Sequence, residues 1–177
     1  NQIVLIGLLY PLIKALHELG HGLATKAWGG EVHEAGIMFL LFMPVPYVDA
    51  SASWAFRDRR KGALVAASGI LVELTIASLG LIIWSLTSPG IVNALALNAL
   101  LIGGVSTLLY NGNPLLRFDG YYVLEDLLQI PNLWVRSSRY YVYVIQRYVL
   151  GLEDAKSPVT AYGERRWFLL YGLLSPA

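Results

Sequence analysis

Cysteine is absent from the 177 residues, which excludes disulfide frameworks and every cysteine-based zinc site. Charge is scarce as well: Asp, Glu, Lys and Arg make up 14% of the chain, against about 25% in an average globular domain. The net charge of +1 calls for no polyanionic partner. No basic run interleaves with aromatics either, so nucleic acid is not an expected ligand. Apolar residues fill the chain instead, at 56% with a mean hydropathy of +0.55. Any metal site must use carboxylates and the three histidines.

Long apolar runs point to a bilayer. Residues 91–110 contain no Asp, Glu, Lys or Arg, and a helix of that length covers about 30 Å, about one hydrocarbon thickness. Residues 62–86 are interrupted only by Glu73. Residues 3–28 are apolar too but include Lys14, His17, Glu18, His21 and Lys26. Such groups are costly in lipid and must face protein or a water-filled cavity. This first helix is expected to kink or restart near Pro11 and to stop at Gly29-Gly30. No basic leader or small-residue cleavage site precedes it, so it does not read as a signal peptide. The start without Met and the fresh apolar run at residues 167–174 suggest a piece of a longer protein with further domains.

Residues 31–47 (EVHEAGIMFLLFMPVPY) are apolar but too short to span, and Pro44 and Pro46 forbid a regular helix. Extended backbone at membrane depth survives only when buried in protein or lining a cavity. A re-entrant hairpin or strand packed against the helices is therefore predicted at residues 35–47. A basic loop with Arg57, Arg59, Arg60 and Lys61 follows, whereas the two clean spans are joined by an uncharged turn, Thr87-Ser88-Pro89-Gly90. This asymmetry puts the basic loop and residues 111–122 in the cytosol, with the His-bearing end of the first helix near the same face. The expected fold is an all-α polytopic membrane protein, a bundle of transmembrane helices with a short re-entrant β segment. Residues 1–135 would form the core, 136–163 an interfacial amphipathic helix and loop, and 164–177 the start of a further transmembrane helix. Residues 137–149 alternate Arg and Tyr with Val and Ile, which suits a helix lying on the membrane surface. The tyrosines, Tyr121 and Tyr122 among them, read as interface anchors.

Chemistry concentrates in His17-Glu18-Leu19-Gly20-His21. On a helix, positions i and i+4 share a face, so both imidazoles can reach one ion. The intervening Glu18 is placed to take a proton from water activated by the metal. Two His and a Glu in an apolar helix of membrane length have no cheap structural excuse. A catalytic zinc site keeps one position open and needs a third protein ligand. The candidates are His33, Asp49, Glu73 and Asp119. Asp119 ends the segment Asn111-Gly112-Asn113-Pro114-Leu115-Leu116-Arg117-Phe118-Asp119, and Gly120 follows it. Spacing alone leaves it equally a ligand or an N-cap for the helix after it.

The two motifs together resemble the site-2 protease family of intramembrane metalloproteases, especially its bacterial peptide zinc metalloprotease branch. His17 to His21 match the family's HExxH helix, and Asn111, Pro114, Asp119 and Gly120 match its second motif without a gap. The likeness covers roughly residues 5–130 and extends to Ala67-Ser68-Gly69, which resembles a small-residue helix start. It implies Zn2+ held by His17, His21 and Asp119, Glu18 as general base, and a membrane protein or peptide as substrate. It also implies a multi-pass protein of the bacterial inner membrane, with its site near the cytosolic face. The chain departs from the family at Glu73, where many members have Asn, and at Pro44-Val45-Pro46-Tyr47, where many have Gly-Gly.

The remaining polar residues read more modestly. His33 suits a group near the membrane surface better than a ligand. Asp49 suits a loop cap better than an acceptor for a ligating His. Glu73 should be protonated or hydrogen-bonded inside the bundle, in a structural or gating role. Asn111 and Asn113 could donate to a substrate carbonyl or shape the turn. Two rival functions are a non-catalytic membrane component of a peptide export or resistance system, and a zinc transporter or sensor. The first would be expected to lose a ligand or Glu18. The second would need ligands on opposing spans, where only Glu73 is available.

Overall fold

The structure, a computed structural model, describes residues 2–40 and 43–175 and is mostly helical. Helix α1 (Gln2–Ala27) leads into an antiparallel hairpin of β1 (Ala35–Leu40) and β2 (Met43–Val48), then a short 3-10 turn at Ser51–Ala55. Helix α2 (Arg59–Leu86) and helix α3 (Ile91–Leu100), which continues as a π-helix over Leu101–Asn111, form an antiparallel pair. Helices α4 (Asp119–Leu128), α5 (Leu133–Val144, prolonged by a π turn at Ile145–Val149) and α6 (Glu164–Leu174) complete the described chain. Arg59–Leu86 and Ile91–Asn111 are long and apolar enough to cross a membrane.

Helix α1 runs through Pro11 as one element rather than restarting there. The proline forfeits a single rung of a long ladder. The helix stops where expected: Gly29 adopts φ +82°, its N–H donates to Lys26 O at 3.0 Å, and Gly30 N–H donates to Thr25 O at 2.9 Å. Such a left-handed residue is what glycine permits at a helix C-terminus.

The hairpin accommodates its prolines by parity. Asp49 N–H donates inward to Glu34 O at 2.8 Å, while Val48 N–H points outward to Glu18 Oε2 at 3.3 Å. Alternation then turns Pro44 and Pro46 outward with Val48, where the ladder to β1 requires no N–H. Of the predicted re-entrant segment, Leu41 and Phe42 lie outside the described residues.

Small residues bring the first three helices together. A Cβ placed on Gly20 of α1 would lie 3.2 Å from Ser68 O of α2, and one on Gly103 would lie 2.6 Å from Glu73 O. Small residues at these contacts let the helix backbones approach closely. This approach also carries the His-bearing face of α1 directly onto the middle of α2.

Helices α4 to α6 share a second core of Tyr121, Ile130, Leu133, Tyr140, Phe168 and Tyr171. This corrects the reading of Tyr121. Tyr121 is buried and accepts from Trp134 N–H at 3.2 Å, so it is a packing residue and not an interface anchor, whereas Tyr122 is exposed. The helix expected over 137–149 is present, begins at Leu133 and packs against α6. Glu164 fixes the start of α6 by pairing with Arg136 at 2.6 Å and accepting from Thr160 N–H at 2.7 Å. The last two residues of the segment expected at 164–177 lie outside the described residues. Phe168 is fully buried, so Phe168→Ala should cost about 3–5 kcal/mol of unfolding free energy. Denaturant titration in micelles measures this, and a cost below about 1 kcal/mol would mean that this core is not formed.

Candidate metal centre

His17 and His21 occupy successive turns of α1 and are buried to 5% and 8% exposure among the small residues of α2. Their Nε2 atoms lie 3.1 Å apart. Asp119, the first residue of α4, reaches both rings, with Oδ2 3.0 Å from His17 Nε2 and Oδ1 3.5 Å from His21 Nε2. Burial alone would raise the Asp119 carboxyl, but the facing His17 and His21 rings outweigh it and hold the group down at about 2. Helix α4 has no side-chain cap. Of the two readings open for Asp119, the structure puts its carboxylate at the imidazoles.

The far side of each ring is also engaged. His21 Nδ1 lies 2.8 Å from Val65 O, an acceptor that puts the proton on Nδ1 and leaves the Nε2 lone pair free. His17 Nδ1 lies 3.1 Å from Glu73 Oε1, off the line of an ideal hydrogen bond. Both Nε2 atoms thus face Asp119, so that the three side chains could hold one metal ion.

Two observations test whether zinc fits. Ligand atoms at about 2.0–2.1 Å around a tetrahedral ion stand about 3.3 Å from each other. The rings' Nε2 atoms stand 3.1 Å apart, and the two Asp119 oxygens stand 3.0 Å (Oδ2) and 3.5 Å (Oδ1) from His17 and His21 respectively, all near that edge. Space is kept open by Gly69, since a Cβ there would lie 2.5 Å from His21 Nε2 and 2.6 Å from His17 Nε2. A donor set of two imidazoles and one carboxylate suits zinc with an open fourth position.

The Glu18 carboxylate accepts from the Val48 N–H of β2 at 3.3 Å. With His21, Asp119, Arg117 and Tyr122 it lines an open cleft of about 720 Å³. Asp49 lines the same cleft but accepts from Ser51 N–H at 2.9 Å, which makes it a loop cap and holds its carboxyl below the usual range. His33 is 65% exposed, 3.6 Å from Glu31, and lies apart from the cluster. Asn113 shapes the turn, its Oδ1 accepting from Leu115 N–H at 3.0 Å.

Glu73 is fully buried. It receives Lys14 Nζ at 2.5 Å on Oε1, and Asn111 Nδ2 at 3.1 Å together with the Thr107 hydroxyl on Oε2. Asn111 therefore spends its amide on Glu73 and not on the cleft. Sequence reasoning missed Lys14, Thr107 and the Val65 carbonyl. Opposite charges in neighbouring apolar helices, Lys14 in α1 and Glu73 in α2, were the available signal for the first. No protein-family model, no curated protein and no solved structure matches the chain, so the likeness to the site-2 proteases rests on the two motifs and their residues.

Proposed function

We propose that the chain is the catalytic core of a membrane-embedded zinc metalloprotease of the site-2 protease type, hydrolysing peptide bonds of membrane-associated or peptide substrates. The meeting of His17, His21 and Asp119 from elements far apart in sequence carries this reading. In it, α1, α2 and α3 span a bacterial inner membrane as parts of a multi-pass protein, and the cleft opens on the cytosolic side. Zinc bound at the cluster would supply Lewis-acid activation of water and of the scissile carbonyl.

The protein's own groups do the rest. Glu18 Oε takes the proton of the attacking water and passes it to the leaving amine nitrogen, while Val48 N–H keeps the carboxylate turned to the cleft. A helical substrate hides its backbone, so it must unwind, and the hairpin edge is suited to hold it extended. Purified wild type should carry stoichiometric zinc and cleave, whereas His17→Ala and Asp119→Ala should lose both. Elemental analysis beside a cleavage assay decides: undiminished zinc in either variant would show that the ion is held elsewhere.

A further inference from the structure

Glu73 lies on the opposite side of the His17 ring from Asp119. Oε1 faces His17 Nδ1 at 3.1 Å, while Nε2 of the same ring faces Asp119 Oδ2 at 3.0 Å. A carboxylate, an imidazole and the ligand cluster thus stand in series; Nδ1 is outside hydrogen-bond geometry but within ion-pair distance, and a small turn of the ring gives the bond that orients metal-binding histidines and makes them better donors. His21 Nδ1 has neutral groups in the equivalent place, the Val65 carbonyl at 2.8 Å and the Ser68 hydroxyl at 3.3 Å. The two rings are therefore supported unequally.

The rest of the network explains how Glu73 keeps its place. Thr107 and Asn111, both on the π-helical end of the third apolar segment, bind Oε2 and leave Oε1 for His17 and Lys14. A carboxylate at 0% exposure in an apolar helix is costly, and a single ion pair rarely offsets that cost. Here Lys14 pairs with Glu73, and a divalent cation held by the ligands would add positive charge on the other side of His17.

From this geometry we infer that Glu73 is a positioning residue of the metal centre: braced by Lys14, Thr107 and Asn111, it fixes the orientation of His17 and strengthens ion binding without touching the ion. The inference rests on the metalloprotease reading and adds to it a third carboxylate.

Zinc affinity by chelator competition, and the visible spectrum of the Co2+-loaded chain in micelles, test it. Glu73→Gln keeps the shape and the Thr107 contact but removes the charge. It should weaken zinc binding about 10–100-fold and shift the cobalt bands, because the donor strength of His17 changes. A variant with unchanged affinity and an unchanged spectrum would overturn the inference while leaving the wild-type metal site intact. If Glu73→Gln does not fold, Thr107→Val with Asn111→Ala, which frees Oε2 but keeps the carboxylate, decides instead. Weakened zinc binding there supports the bracing, and wild-type affinity overturns it. A wild-type chain that binds neither Zn2+ nor Co2+ would sink both this inference and the protease reading.

Discussion

A Glu18→Gln variant should keep its zinc and lose peptide hydrolysis by about 10²–10⁴-fold, the range a positioned general base supplies. The amide oxygen can still accept from Val48 N–H, so the side chain keeps its place at the mouth of the cleft. What it loses is the ability to take and deliver a proton. The three ligand side chains are untouched, so metal content should match wild type. Elemental analysis with a single-turnover cleavage assay separates the two effects. Equal cleavage by variant and wild type would rule out the base. Absence of cleavage from both, with zinc bound, would favour the non-catalytic export or resistance component.

The second large effect is steric. Gly69→Ala adds one methyl group, yet that methyl would lie 2.5 Å from His17 Cε1 and from His21 Nε2. Both rings would have to swing away, and they are packed against α2 with Nδ1 of His21 tied to Val65 O. The separation of 3.1 Å between the Nε2 atoms cannot be kept. Zinc affinity should fall by at least about 100-fold, beyond what the loss of a supporting hydrogen bond costs. The fold itself should lose only about 1–3 kcal/mol, as overpacked sites do. Zinc titration alongside thermal unfolding of the metal-free chain checks both halves. Wild-type zinc affinity in Gly69→Ala would place the ion somewhere other than between these rings.

Features set by local geometry were legible in the amino-acid order. The i, i+4 spacing of His17 and His21 needs only a helix, and the helix end needs only Gly29-Gly30. Prolines in an apolar stretch too short to span excluded a helix at Pro44 and Pro46 and left a hairpin. Asp119 was ambiguous because one residue at one helix start can serve a backbone or a distant ion. Only the packing of α4 against α2, and of α2 against α1, places it at the imidazoles. Glu73 was recognisable as a buried polar residue, but its partners were not, since Lys14, Thr107 and Asn111 stand 59, 34 and 38 residues away. Tyr121 was misread for the same reason: an amphipathic side chain near a predicted interface carries no mark of the α4–α6 core that encloses it.

The outward prolines of the hairpin bear on any polypeptide drawn into the space between β2 and α1. Along that side the sheet displays the carbonyl oxygens of Pro44 and Pro46, while the Val48 amide is committed to Glu18. Among the described residues, an incoming backbone can give amide hydrogens to this edge but finds no free donor in return. The guest's oxygens on that side stay unsatisfied by the host strand.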